Sequence, residues 1–246
     1  MRAARLFIVT SLLMLATACS GSGDNPTSGE RSHHVTVFAA SSLTDVFTAI
    51  GKAYEHTHAG ASVTFSFAAS SDLVQQVQQG APADVIATAS TTTMAQVTKE
   101  LAGTAKTFAR NKLVIVTAPG NPKHISTLAD LGDEHLIVVL AAEGVPAGDY
   151  ARQALSAAHV TVHPKSLEDN VRGVLTKVEL GEADAGIVYA TDALVAGSKV
   201  TTVPISDAPI ATYPIGAVDD DGRGFVDFVL SGAGRQILAR YGFLPP

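Results

Sequence analysis

VTVFAASSLTDVF (Val35–Phe47) is the stretch on which the fold turns. A short β-rich run, VTVFA, gives way to the small residues Ala40, Ser41 and Ser42, and the apolar spacing then becomes that of a helix. The same order returns in SVTFSFAASSDL (Ser62–Leu73), and the tetrapeptide AASS stands at the joint both times, as Ala39–Ser42 and Ala68–Ser71. Working outward, DVIATA from Asp84, KLVIVTA from Lys112, LIVVLA from Leu136, VTVH from Val160 and AGIVYA from Ala185 read as further strands. Helices are expected from near Ser42, Ser70, Thr91, Pro146 and Asn170. Short apolar strands alternating with helices indicate an α/β protein with mainly parallel sheets. About ten strands suit two modest sheets better than one, and the alternation is less regular than a closed eight-fold barrel requires.

The chain is expected to form two α/β lobes with a hinge between them. ARNKLVIVTAPGNP (Ala109–Pro122) and ATYPIGAV (Ala211–Val218) read as β runs that cross from one lobe to the other. The helical pieces of DGRGFVDFVLSGAGRQILARYGF would then return to the first lobe. Residues 35–112 plus 217–246 are assigned to lobe 1 and residues 113–216 to lobe 2.

Composition excludes several classes. The 246 residues are 46% hydrophobic and 16% charged, with 21 Gly and 11 Pro, unlike a disordered, collagen-like or coiled-coil chain. One Cys allows neither an intrachain disulfide nor a zinc site built on cysteines. With 17 Lys and Arg against 23 Asp and Glu the formal charge is −6, the wrong sign for a nucleic-acid binder.

MRAARLFIVTSLLMLATAC (Met1–Cys19) carries Arg2 and Arg5 ahead of an apolar run from Leu6. The run is shorter than the roughly 20 residues of a spanning helix, and residues 1–18 suit an export signal. An unpaired Cys in an exported protein calls for an explanation. Ala16, Thr17 and Ala18 lead into Cys19 in a way that resembles the lipobox of bacterial lipoproteins, with the preferred Leu one place early at Leu15. The resemblance implies cleavage before Cys19, acylation (palmitate) of its thiol and anchoring to the outer face of the cell membrane. Plain cleavage near Ala18 is the alternative. Residues 19–34 are rich in Gly, Ser and Pro and read as a flexible tether spanning roughly 20 Å, with His33 and His34 solvated at its end.

The AASS serines admit two readings. Ser is a preferred helix N-cap, and Ser42 followed by Asp45 fits a capping box; small residues also let a ligand approach the backbone. GVPAGDY (Gly144–Tyr150) places Pro146 at a helix start with the amides of Ala147 and Gly148 uncovered. EDNVRGVL (Glu168–Leu175) places Asn170 at a cap and Val171 in the first turn. Helix N-termini gather at the carboxyl ends of strands, where α/β folds bind ligands, and several facing one cleft suit an oxyanion. Tyr189, at the end of AGIVY, would add a phenolic donor.

Taken in order, FAASSLTDVF, FAASSDL, GAPADV, VPAGDYA, DNVRGVL, GIVYATDA and RYGF resemble the molybdate-binding proteins of bacterial ABC importers, over nearly everything from Val35 to Phe243. The resemblance implies the two-lobed periplasmic-binding-protein fold of type II, closing over a tetrahedral oxyanion. It further implies a monomeric binding protein and not an enzyme, without cofactor, with molybdate and tungstate as ligands and a membrane permease as partner. Carried across motif by motif, it implies five ligand residues: Ser42, Ser70, Ala147, Val171 and Tyr189. Ala147 and Val171 would act through backbone amides, the others through hydroxyls as well, and molybdenum would be held only as molybdate. Position 41 departs from the pattern, Ser standing where Ala is common; Ser41 could add a donor.

The chemistry agrees with that set. Molybdate at neutral pH is a deprotonated dianion whose oxygens only accept hydrogen bonds, and hydroxyls and amides can supply them. Local dipoles, not net charge, set the potential of such a site. Arg172, beside Val171, is the nearest basic residue, readable as a solvated or lobe-bracing charge. Hydrogenphosphate would want a carboxylate acceptor, for which Glu143 and Asp149 lie close in sequence; sulfate differs chiefly in size and stays open. A serine hydrolase would need a G-x-S-x-G elbow and a placed His, neither of which is present. A cation-binding protein would need convergent His and carboxylates. In HVTVH, read as a strand, His159 and His163 stand roughly 13 Å apart, too far to share a metal, and His56 and His58 mark a polar helix end.

Overall fold

The computed structural model describes residues 33–246; the export signal, Cys19 and most of the expected tether lie outside the described residues. In chain order, β1 (His33–Ala40) passes through a 3-10 turn (Ser41–Leu43) into α1 (Thr44–Thr57). Then come β2 (Ala61–Ala68), α2 (Ser70–Gln78), β3 (Val85–Ala87), α3 (Thr91–Ala95) and β4 (Lys106–Asn111). A second series follows with β5 (Leu113–Thr117), β6 (Val138–Ala141), α4 (Pro146–Ala157), β7 (Ser166–Glu168), α5 (Val171–Glu179), β8 (Ala185–Tyr189), α6 (Ala190–Ala196) and β9 (Thr201–Pro204). The chain closes with β10 (Ala211–Ala217), α7 (Arg223–Leu230) and α8 (Gly232–Arg240).

Two five-stranded sheets result, ordered β2-β1-β3-β10-β4 and β7-β6-β8-β5-β9. Helices flank them, as expected of a two-lobed α/β protein. The sheets are mixed rather than mainly parallel. In the first, β1 runs parallel to β2 and β3, while β10 runs antiparallel to β3 and β4. In the second, β6 is parallel to β7 and β8, while β5 is antiparallel to β8 and β9. The antiparallel halves hold the crossings between lobes. Only Lys112 separates β4 from β5, so one extended run serves both sheets.

Three expectations shift. β10 pairs along its length within the first sheet, so residues 211–216 belong with lobe 1 and the return crossing precedes Ala211. His33 and His34 open β1 instead of ending the tether, because their backbones continue the ladder opposite Ala61 and Ser62. VTVH is not a strand. His159 adopts φ 56°, and the Val160 amide closes the end of α4 on the Leu155 carbonyl at 2.9 Å, so it is not available to a ladder. The edge strand begins at Ser166, opposite Val139.

Both faces of the first sheet are covered, which explains the near-continuous apolar reading of its strands. Val35, Val37 and Ala39 face one core, whereas Phe38 packs with Leu73, Val74, Val77 and Ile86 on the other. On α1, Val46, Phe47, Ile50 and Tyr54 recur at helical spacing and are buried. The C-terminal helices return to this lobe: Phe225 of α7 packs edge-on to Phe47 at 6.0 Å and to Tyr54 at 5.5 Å. Phe225 also packs against Phe65 of β2 at 6.1 Å, so α7 covers the sheet whose strands β1 and β2 end in the small residues.

Candidate functional site

Six parallel strands, three in each sheet, deliver residues to one small cavity. β1 ends in Ala40, Ser41 and Ser42, β2 in Ala68, Ala69 and Ser70, and the turn after β3 in Ala89. From the second sheet, Val145, Pro146 and Ala147 follow β6, Val171 follows β7, and Tyr189 ends β8. All five expected ligand residues therefore line one cavity, Ser42 and Ser70 on one side and Ala147, Val171 and Tyr189 on the other. Ser41 lines it too. The cavity is small, on the scale of a compact ion and not of a sugar or peptide.

The AASS serines do not cap helices. α1 and α2 have Leu43 and Ala69 at their caps with no side-chain cap hydrogen bond, so the capping box expected of Ser42 and Asp45 does not form. The hydroxyls are used otherwise. Ser70 Oγ accepts from the Ala89 amide at 3.0 Å, and Ser42 Oγ lies 3.1 Å from the Tyr213 hydroxyl. In the second lobe α4 begins at Pro146 with no side-chain cap. Asn170 Oδ1 accepts from Arg172 and Gly173 at 2.9 and 3.2 Å, leaving the Val171 amide outside that cap.

Tyr189 is 1% exposed, and its hydroxyl has no hydrogen-bond partner among the described residues. Burial pushes its pKa well up, so the phenol keeps its proton. A buried hydroxyl left unsatisfied costs about 1–3 kcal/mol. Tyr189 itself lines the cavity, and a phenol without a partner can donate to an acceptor held there.

Among the described residues no carboxylate stands in the cavity wall. Glu143 and Asp149 line a separate hollow with Ser90, Thr92 and Arg152, and Asp149 accepts the Gly144 amide at 2.9 Å. Arg172 is also outside the wall. Its Nη2 binds Asp45 on α1 at 2.5 Å and its Nε binds Asp192 on α6 at 2.7 Å, which links the two lobes. Burial works against the guanidinium charge, but the two carboxylates outweigh it and raise its pKa. Asp192 bears the greater desolvation because it is fully buried; its carboxyl is pushed up to about 6 in spite of Arg172. A proton taken up by the folded protein between about pH 6 and 4, and not by the unfolded chain, makes this group favour folding more as pH falls through that window.

A model of the bacterial extracellular solute-binding proteins matches residues 35–244. The chain belongs to that family. It is 41% identical to the molybdate-binding protein ModA of Mycobacterium tuberculosis over 97% of both chains. It is 36% identical to ModA of Haemophilus influenzae, covering 85% of this chain and 89% of the relative. Among solved structures, the Azotobacter vinelandii periplasmic molybdate-binding protein superposes with a TM-score of 0.71 at 18% identity, covering 86% of this chain and 99% of that one. The sulfate-binding protein SubI from Mycobacterium tuberculosis gives a TM-score of 0.76 at 20% identity over 86% of each. At that identity these two structures bear on the fold alone.

In this solute-binding protein, sequence reasoning missed Tyr213. Its strand was read only as a crossing between lobes. The usable signal was a tyrosine within an apolar strand, whose hydroxyl must find a partner once buried.

Proposed function

We propose that this solute-binding protein captures molybdate outside the cytoplasm and presents it to the permease of an ABC importer. The donor set of the cavity carries this reading. Two serine hydroxyls, the unpartnered Tyr189 hydroxyl and the amides that open α4 and α5 meet around a space fit for a small ion. A wall without carboxylates suits an oxyanion with no proton to give. The ModA relatives support molybdate among such anions. Tungstate, of the same charge and shape, should bind with it. Sulfate, a proton-free dianion of the same charge and shape, is the second reading.

Calorimetry against molybdate, tungstate, sulfate, phosphate and zinc tests this in one series. Molybdate and tungstate should bind more tightly than sulfate, and phosphate and zinc should give no heat of binding. Tighter binding of sulfate would replace molybdate as the ligand, and binding of zinc alone would sink the oxyanion reading.

Capture requires closure, because the donors come from both lobes. The Arg172 bridge between Asp45 and Asp192 supports this: it pairs groups that parting of the lobes would separate. Asp45→Asn removes the partner on lobe 1 without touching the cavity. Asp45 is partly exposed, so the expected loss is about 0.5–1 kcal/mol, a two- to five-fold fall in affinity. It should appear as faster molybdate release in stopped flow; an unchanged release rate would remove the bridge from the closing mechanism.

Among the described residues no helix is long and apolar enough to cross a membrane. Attachment to the cell surface would come through acylated Cys19. Cys19→Ser should move the protein from the membrane fraction to the medium, and continued sedimentation with membranes would refute the anchor.

A further inference from the structure

Of the three serines that line the cavity, Ser42 and Ser70 differ in what stands behind them. Ser70 Oγ accepts a hydrogen bond from the Ala89 amide at 3.0 Å. An amide N–H can only donate, so the Ser70 proton is left for the cavity. Ser42 Oγ stands 3.1 Å from another hydroxyl, that of Tyr213, and either could donate. Tyr213 is fully buried on β10 and is not part of the cavity wall. Its ring meets that of Tyr189 edge-on, with centroids 5.7 Å apart. Tyr213 thus touches one cavity residue from each lobe.

We propose that Tyr213 is a positioning residue of the oxyanion site, donating its hydroxyl proton to Ser42 Oγ so that the Ser42 proton points to the bound anion. A serine hydroxyl has one proton and rotates freely unless something holds it. If Ser42 spent its proton on Tyr213, it would turn lone pairs toward a dianion. If Tyr213 donates, Ser42 matches Ser70, and each serine accepts from behind and donates forward. Hydrogen bonds in such a chain polarise one another, so the forward donor is strengthened as well as aimed. This rests on the proposed binding of molybdate or a similar oxyanion at Ser42.

The test is a double-mutant cycle on the full protein with sodium molybdate, read by calorimetry. Tyr213→Phe keeps the ring against Tyr189 and removes only the hydroxyl. It should weaken molybdate binding roughly three- to ten-fold where Ser42 is present, and less than two-fold in the Ser42→Ala background. Equal losses in both backgrounds would make Tyr213 a general structural residue, and no loss in either would leave Ser42 aimed without it; both overturn the proposal. The thermal midpoint without ligand separates misfolding from a local effect. Should Tyr213→Phe fold poorly, 3-fluorotyrosine placed at position 213 keeps the ring and makes the hydroxyl a stronger donor. It should tighten molybdate binding where Ser42 is present and not in the Ser42→Ala background, and an equal effect or none in both would overturn the proposal. Failure of the wild-type protein to bind molybdate would instead dispose of the proposed function and is seen before any variant is made.

Discussion

Tyr189→Phe is expected to lower the affinity for molybdate by roughly 10- to 150-fold while leaving the ligand-free protein as stable as before, or more so. The hydroxyl is buried without a hydrogen-bond partner among the described residues. Removing it relieves an unsatisfied buried group and withdraws a donor from the anion. A hydrogen bond to a charged acceptor contributes about 1.5–3 kcal/mol, which gives the stated range. The ring itself packs against Tyr213 and is retained in Phe. Calorimetry and thermal unfolding without ligand, run on the same preparation, check both halves. Wild-type affinity would show that Tyr189 does not touch the ligand. A fall in stability matching the fall in affinity would show that its hydroxyl is structural.

Gly148→Ala should damage both stability and binding. Gly148 lies in the first turn of α4, one residue after Ala147. A Cβ there would stand 2.1 Å from the Ala142 carbonyl oxygen and 2.4 Å from that of Ala141. Both are backbone atoms at the end of β6, so no side chain can swing aside and the helix start must move. Overpacking of this kind costs about 1–3 kcal/mol, or roughly 2–12 °C in thermal midpoint for a chain of this size. The movement carries Ala147 and Pro146, which line the cavity, so molybdate affinity should fall at least ten-fold. Gly232→Ala is the control. It opens α8, a Cβ there meets nothing within 4 Å, and it should leave both properties unchanged or raise stability slightly. A Gly148→Ala protein with wild-type midpoint and affinity would mean that α4 does not set the position of the Ala147 amide.

Much of the lining of the candidate cavity was legible in the chain because its residues follow strand ends in short local patterns. AASS, VPAG, DNVRG and GIVY each mark a joint between strand and helix, and the residues taken from them line one cavity. Local patterns also misled. VTVH alternates as a strand should, yet the end of α4 claims the Val160 amide. Ser42 and Asp45 have capping-box spacing, yet the serine turns to Tyr213 and the aspartate to Arg172. Each partner lies far away in the chain, where sequence spacing carries no signal.

From the order of residues alone came the alternation of strand and helix, the small residues at the joints and a donor set suited to an anion. All of these depend on neighbours within a few positions. Sheet order decided the rest: the mixed direction of the strands, the membership of β10 in the first sheet, the bridging of the lobes by Arg172 and the hydroxyl behind Ser42. Tyr213 reaches Ser42 across 171 residues, and only the packing of β10 into the first sheet makes them hydrogen-bond neighbours.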